Sequence, residues 1–542
     1  MKKNVKDTLL KIIEERIDKW RGINQRIKIG SQYHNFKPRF LSVMHKIIEE
    51  AIIESCSIGF TKEINFIPDQ IGIMRVESRI GERKIHGLAY EQETAPRERD
   101  IEALKKQIDL SFDNCVKNAL EDYLSSKGRL CTEKDPFLLK KISREQPTIY
   151  IENKRMHIST EDVQELSNIV KHVSTEIDKI PFVENFEVEY KITNETQRFA
   201  NSDGSRIKTN FFRGSLSALI NIRHKDGGES EFSIAYYGLS LNELKNKRKI
   251  SRYLKEFIDD SYKISNAPQQ ESGVFPCIFT SSATGVLLHE AAAAHLLSAK
   301  IVLETDSTVF GTDKLGKRIF PEFITLIDDP SAEGQWGSYL YDEEGILGQR
   351  VVLVEKGILR DYLTDRTTAA FLSDLLKKKI SSNGHSRAEE GEDPEPRASN
   401  LYLLSEEKHT IKELEEAMIQ YCKKNKLEYG LIIDGKAGDV DVEEENAGTF
   451  RIYPNRIIRL YPNGKKEFVS RAWILGEPYQ MLGEIKMLGG KYKNNYGFCG
   501  SESGFIFVQE ITPAAFIEKV EVRRKPEKGT RKERLDRRIE ER

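Results

Sequence analysis

The residues best suited to chemistry lie in one short segment, His289-Glu290-Ala-Ala-Ala-Ala-His295, which follows an apolar run. Neutral imidazole nitrogens bind zinc and similar cations, and the metal lowers the pKa of a bound water. An adjacent carboxylate can accept the proton of that water and pass it to a leaving amine. The segment is therefore a candidate hydrolytic metal site.

The spacing of the two histidines leaves a second interpretation open. In the H-E-x-x-H motif of zinc peptidases, the two ligands lie about 40° apart on one helix face. On an ideal helix, His295 is about 120° around from His289 and about 9 Å further along. The alternative is a buried histidine that has an acidic neighbour by chance.

A second candidate is Cys499, which has Gly497 and Gly500 close on either side. Glycines allow the backbone to approach closely around a thiolate ligand. The alternative is a buried, unreactive thiol.

These residues need a helix and a strand-rich framework to bring them together. Alanine is the best helix former, so a buried helix is predicted to begin after residues 281–283. Beyond a loop at residues 266–273 the chain is strand-rich, and Pro462-Asn463-Gly464 indicates a hairpin. The acidic segment 389–395 is predicted to be an exposed loop.

The preceding half is predicted to contain more helix, because apolar residues recur at three- and four-residue spacing in segments 37–55 and 100–125. The predicted class is α+β, with a helix-rich N-terminal α/β part and a strand-rich, barrel- or sandwich-like C-terminal domain. The predicted divisions are a helix-rich region at 1–145, an α/β domain at 146–268, a strand-rich C-terminal domain with the candidate metal site at 269–522 and a charged tail at 523–542.

Composition limits the classes of partner. The 85 basic and 86 acidic residues leave a formal charge of -1, which gives no overall case for nucleic acid or an anionic membrane. No apolar run approaches the roughly 20 residues of a membrane span. The six cysteines form no CxxC pair, and the first 20 residues lack a signal-peptide pattern. A cytoplasmic protein with reduced thiols is expected.

Motifs in a consistent order resemble the TldD/PmbA family of metal-dependent peptidases. The resemblance covers mainly the last half of the chain, with two further pieces in the first half and none before about residue 145. The similar segments are 198–204, 215–222, 285–299, 307–310, 326–329, 337–349, 355–370, 383–387, 397–403, 487–490 and 499–500.

The resemblance implies that His289, His295 and Cys499 hold one divalent metal, with zinc expected and iron as an alternative, and that Glu290 is the catalytic base. The family pattern is H-E-x-x-x-H, and this chain has one alanine more. Without a gap, Ala294 occupies the second ligand position. With a one-residue insertion absorbed as a π-bulge, His295 is the ligand, and this alignment is favoured.

The resemblance also implies a dimer, either a homodimer or a heterodimer with a family relative, that encloses the site in a channel. An unfolded or extended peptide could enter and pair with an exposed strand edge. Arg387, Arg397 and Asn400 are candidates for binding it, and the alternative is that they are surface polar residues of a sheet. The rival function is a non-catalytic partner subunit or peptide-binding scaffold that lacks a complete metal site.

Overall fold

The computed structural model describes residues 7–29, 31–57, 70–82, 85–96, 100–130, 140–152, 158–290, 297–304, 311–435, 441–446, 449–454, 456–470 and 472–524. The helices are α1 (Thr8–Arg21), α2 (Ile101–Arg129), α3 (Thr160–Asp178), α4 (Leu241–Leu244), α5 (Lys247–Ser265), α6 (Ser281–Leu288), α7 (Ala299–Glu304), α8 (Arg366–Leu376), α9 (Ile411–Asn425) and α10 (Pro478–Gly483). None of the helices in these ranges has the length and apolar character needed to cross a membrane.

The strands of the first half are β1 (Gln25–Ile29), β2 (Gln32–Phe36), β3 (Pro38–Cys56), β4 (Gln70–Gly81), β5 (His86–Ala95), β6 (Ile149–Ile151), β7 (Val183–Asn201), β8 (Arg206–Arg223) and β9 (Glu229–Gly238). Seven of them form one sheet in the order β5-β4-β3-β7-β8-β6, with β9 also paired to β8. The pairings are antiparallel except that of β6 with β8.

One face of this sheet is covered by helices. Leu41 and Val43 of β3 pack in the core shared with α1 and α2, whereas Ala51 and Ile53 pack in the core shared with α3 and α5. These residues have odd numbers, so they point to the same face of the strand. Met44 points to the opposite face and lies in a cluster with Tyr341 of the C-terminal half.

The predicted helix at residues 37–55 is wrong, because this segment is the long strand β3. The first half of β3 is buried on both faces, so its apolar and polar residues do not follow the two-residue alternation of a half-exposed strand. The region 1–145 is therefore not simply helix-rich: it contributes α1 and α2 but also β1 to β5. Because β3 pairs with β7, segments on either side of residue 145 share one sheet.

The strands of the second half are β10 (Gly273–Phe279), β11 (Ile324–Asp328), β12 (Val351–Glu355), β13 (Ile358–Leu359), β14 (Ser386–Arg387), β15 (Glu395–Pro396), β16 (Asn400–Ser405), β17 (Gly430–Asp434), β18 (Asp441–Asn446), β19 (Thr449–Tyr453), β20 (Arg456–Leu460), β21 (Lys466–Val469), β22 (Ala472–Gly476), β23 (Ile485–Ser501) and β24 (Gly504–Arg524). The main sheet follows the order β13-β12-β11-β16-β24-β10-β17-β20-β21 and is branched and open. The predicted α+β class is confirmed, as is the hairpin of β20 and β21. Most of the acidic segment 389–395 is exposed, but Glu395 is buried.

Buried ion pairs join the N-terminal sheet to the C-terminal half. Lys46 Nζ lies 2.9 Å from Glu343 Oε1, and Arg75 Nη2 lies 2.7 Å from Glu343 Oε2. Burial alone would raise the pKa of the Glu343 carboxyl, but the charges of Lys46 and Arg75 hold it below its usual value. Loss of either cation would leave a buried charge with less compensation, so the contact strongly favours one arrangement.

His45 of β3 provides a test of this packing. Its ring is fully buried, and in the described part of the chain neither ring nitrogen has a hydrogen-bond partner. Burial, together with the charge of Arg198, lowers the pKa of His45 to about 3. The folded protein therefore keeps His45 neutral at pH 5, where the unfolded chain binds a proton, so stability falls as the pH drops below about 6.5.

We predict that His45→Leu removes part of this acid sensitivity. Urea unfolding at pH 7 and pH 5 should show the wild-type protein losing about 2 kcal/mol more than the variant over that interval. Parallel losses in both proteins would show that His45 is not held neutral by the fold.

Candidate active site

Helix α6 begins directly after β10 and lies against the hairpin formed by β23 and β24. Ser281 Oγ donates to Thr512 O at 2.5 Å, and Thr512 Oγ1 donates back to Ser281 O at 2.6 Å. One turn later Gly285 faces the same hairpin, where a Cβ atom would lie 3.0 Å from Glu510 Cβ and 3.4 Å from Asn495 Cβ. Gly285 therefore permits the close approach of the helix to the two strands.

The register of the hairpin places polar residues on the face beneath α6. Asn495 pairs with Glu510, and Cys499 pairs with Ile506. Asn495 and Cys499 are four residues apart on β23, so their side chains share a face, and directly paired residues point to the same side.

His289, at the end of α6, meets this face. Its ring is buried, and Nδ1 lies 2.8 Å from Glu510 Oε1. Asn495 Nδ2 donates to Glu510 Oε2 at 2.9 Å, which fixes the carboxylate from its other side. A carboxylate on one ring nitrogen is the usual way to orient a metal-binding histidine, and it leaves the second nitrogen for the metal.

Cys499 is 1% exposed and interacts directly with His289. Although burial alone would lower the pKa of His289, the Cys499 thiolate and Glu510 raise it well above its usual value. Conversely, burial would raise the pKa of the Cys499 thiol, but His289 and Arg397 hold it below its usual value. The Cys499 thiolate and the Glu510 carboxylate both lie beside the His289 ring, so together they favour a positive charge in this centre.

The structure brings together two of the three predicted ligands, His289 and Cys499. His295 lies outside the described residues, so its role as third ligand stays a prediction. Glu290, half-buried, follows His289 in a π-helical turn, the local geometry expected for a one-residue insertion. Among the described residues, no group of three or more His, Cys, Asp and Glu side chains forms a complete metal site.

The donor chemistry of His289 and Cys499 fits a zinc-like cation, because a neutral imidazole and a thiolate are its preferred ligands. Glu510 and Asn495 were missed by the sequence reasoning. One signal was available for Glu510: it is a charged residue inside a largely apolar stretch of strand that is buried from Val508 to Ile517. Buried charges are rare unless they are paired or bind a metal.

The three predicted substrate-binding residues lie in different surroundings. Arg397 is buried and donates to Cys499 O at 2.6 Å and to Ser503 Oγ at 2.6 Å, so it fastens the hairpin turn. Asn400 is also buried and bonds with the backbone of Gly337 and Asp329. Arg387 is different, because it lines a cleft.

The cleft lies between the N-terminal sheet and the C-terminal half, close to Cys499. Its wall on the hairpin side is formed by residues 505–507, and Ile506 is the strand partner of Cys499.

Comparisons with known proteins relate the C-terminal half of the chain to a group of metallopeptidases. Residues 272–524 match the family model of the PmbA/TldA metallopeptidase C-terminal domain. A metalloprotease from Methanothermobacter thermautotrophicus is 28% identical over 60% of this chain and 67% of its own length. A zinc metalloprotease TldD homolog from Saccharolobus solfataricus is 23% identical over 67% of this chain and 76% of its own length.

The chain spans about two thirds of the length of the first such relatives. The fold of TldE from Thermococcus kodakarensis is similar at a TM-score of 0.61 and 16% identity, over 90% of this chain and 97% of that one. The α+β fold and the match over residues 272–524 define a protein with a C-terminal domain of metallopeptidase type. These matches place residues 272–524 with the PmbA/TldA metallopeptidase C-terminal domain, and they support a TldD/PmbA family member.

The contact at Gly285 gives a testable prediction. Gly285→Val should lower the free energy of unfolding by about 1–3 kcal/mol, because the side chain has no room against Glu510 and Asn495. Gly128→Val is the matched control, since Gly128 is an exposed glycine of α2 whose added Cβ meets nothing within 4 Å. Thermal or urea unfolding of both variants measures the difference, and equal stability would contradict the close approach.

Proposed function

We propose that this protein is a metal-dependent peptidase that hydrolyses unstructured peptides. The observation that carries the proposal is the convergence of His289, Cys499 and Glu510 in one buried centre, with Glu290 next in sequence to His289. Family membership supports it, because the relatives described above are named metalloproteases.

The metal is expected to be held by His289 and Cys499, with His295 as the proposed third ligand. Zinc suits an imidazole and thiolate set, and the Saccharolobus relative is named a zinc metalloprotease, whereas iron accepts similar ligands. When bound, such a metal polarises a carbonyl and makes a bound water more acidic.

The protein's own residues supply the remaining steps. Glu290 accepts the proton of the attacking water at its carboxylate and delivers it to the leaving amine. Glu510 holds the His289 ring in one orientation, and Asn495 holds Glu510. Arg397 fixes the backbone carbonyl of Cys499, so the thiolate stays beneath α6.

The strand edge beside the centre supports an extended substrate. Phe505 N–H donates to Glu389 Oε2 at 2.8 Å, and Gln509 N–H donates to Ser399 O at 2.9 Å, both away from β23. Because backbone groups alternate in direction along β24, the N–H and C=O of Phe507 also point away from β23. Phe507 lines the cleft. A peptide lying there can bond to main-chain groups with little demand on its sequence.

The assigned base is tested by Glu290→Gln. The variant should keep near-normal metal content, because Glu290 is not a proposed ligand, while hydrolysis of a disordered peptide falls by about two orders of magnitude or more. Peptide cleavage followed by mass spectrometry, alongside metal analysis, measures both. Full activity in the variant would remove Glu290 from the mechanism.

A second candidate function is a partner subunit that completes a channel or binds peptides without cutting them. It is favoured by the additional alanine after Glu290, because an alignment without a gap places Ala294 at the second ligand position. In either case we propose a cytoplasmic dimer, with itself or with a family relative.

Metal content distinguishes the two functions. For the peptidase we predict about one zinc or iron per chain, lost in the double variant His289→Ala, Cys499→Ser, and cleavage that stops on chelation and returns with added metal. The measurement is elemental analysis of protein purified without chelators. Metal-free protein that still binds peptides would establish the partner subunit.

A further inference from the structure

Two arginines line the cleft beside the buried centre without a carboxylate partner. In the part of the chain that the structure describes, neither Arg213 nor Arg387 forms an ion pair with an acidic side chain, and their hydrogen bonds go to backbone carbonyls. Both side chains contribute to the wall of the cleft. Because buried guanidinium groups usually pair with carboxylates or phosphates, this arrangement needs an explanation.

Arg387 is 8% exposed and is held in a fixed position. Its Nη1 donates to Ala398 O, and its guanidinium carbon lies 4.9 Å from the centre of the Tyr339 ring. Burial lowers the pKa of Arg387, and the nearby charge of Arg397 acts in the same direction. The side chain is thus a pre-oriented cation rather than a flexible surface arginine.

Arg213, from β8, approaches from the other side of the cleft. Its Nε donates to Trp336 O at 3.0 Å and its Nη2 to Ser338 O at 2.9 Å. The guanidinium carbon lies 4.3 Å from the centre of the Phe507 ring, so an aromatic face supports it. Burial and the charge of Arg387 lower the pKa of Arg213 to about 10.

The acidic residues of the cleft are engaged elsewhere. Lys46 Nζ lies 2.9 Å from Glu343 Oε1, 3.6 Å from Glu195 Oε1 and 3.5 Å from Glu390 Oε1. Three of the five carboxyls that line the cleft are therefore in contact with this lysine. A fourth, Glu389, accepts the N–H of Phe505.

The fifth acidic residue of the cleft, Asp342, accepts backbone N–H bonds from Glu344, Ile346 and Ser386. Burial raises the pKa of Asp342 to about 7, which weakens it as a counter-ion. Among the described residues, neither arginine therefore has a carboxylate in direct contact, although Glu195 acts on Arg213 and Asp328 acts on Arg387 from further away.

We propose that Arg387 and Arg213 form a subsite for a carboxylate of the bound peptide. This proposal rests on the proposed function, and it adds a substrate class: peptides that place a carboxylate in the cleft next to the metal centre. Arg213 of β8 and Arg387 of β14 both line the cleft, and their guanidinium N–H groups can donate charge-assisted hydrogen bonds to a carboxylate. The carboxylate can belong to the peptide's C-terminus or to a glutamate or aspartate side chain.

The test uses full-length protein carrying Glu290→Gln, so that peptides are bound but not cut. Fluorescence anisotropy measures binding of one labelled, unstructured sequence without acidic residues, with either a free C-terminal acid or a C-terminal amide. A third peptide is the amide with one internal glutamate, and a fourth has glutamine at that place. These four peptides separate the two sources of the carboxylate.

We expect the free acid, or the glutamate-containing amide, to bind roughly tenfold to a hundredfold more tightly than the uncharged amide. Adding Arg387→Gln or Arg213→Gln should remove that preference, and Arg387→Lys should restore part of it. Arg350→Gln is the matched control, because Arg350 is an exposed arginine outside the cleft. Cooperative thermal unfolding of each variant shows that it is folded.

Equal binding of all four peptides to the Glu290→Gln protein would overturn the proposal, as would a carboxylate preference that survives both glutamine variants. The result is independent of hydrolysis. If peptides are never cleaved but the carboxylate preference exists and depends on the two arginines, the subsite stands and the peptidase function fails.

Discussion

The contact between α6 and the β23–β24 hairpin is the constraint on which the centre depends. His289 comes from the helix, whereas Cys499 and Glu510 come from different strands, so the three groups meet because the helix lies directly on the sheet. Gly285 makes this possible, since a larger residue would push the helix away from Glu510. The paired hydrogen bonds of Ser281 and Thr512 fix where the helix begins.

A second set of buried polar groups fixes the segment that carries Arg387. His385 Nε2 lies 3.0 Å from Asp328 Oδ1, and Ser399 N donates to Asp328 Oδ2 at 2.8 Å. All three residues are fully buried, so these bonds form in a low-dielectric interior where leaving a partner unsatisfied is costly. These bonds attach the segments before and after the exposed acidic loop to strand β11. The attachment fixes the position of Arg387.

Much of this could be predicted from sequence, and the failures have physical causes. The His289-Glu290 dipeptide and Cys499 were recognisable because their residue types are unusual in their settings. The contact of Glu510 with His289 depends on the register of the hairpin, in which Glu510 pairs with Asn495, 15 positions earlier. Residue spacing alone does not reveal this register. The strand β3 was mistaken for a helix because burial on both faces removed the alternation that identifies strands.

The same hairpin supports both the buried centre and the cleft, and the two-residue period of a strand explains how. Cys499 and Glu510 belong to the face beneath α6, whereas Phe507, next to Ile506 in sequence, points to the opposite face and packs against Arg213. A shift of one residue in the pairing would exchange these faces, removing the carboxylate from His289 and the aromatic ring from Arg213 together. Arg397 opposes such a shift by bonding to Cys499 O, Ser503 Oγ and Gly504 O around the turn. Arg397 thus stabilises the hairpin that carries both the buried centre and the cleft, although it belongs to neither. This role accounts for its burial at a position where the sequence suggested contact with substrate.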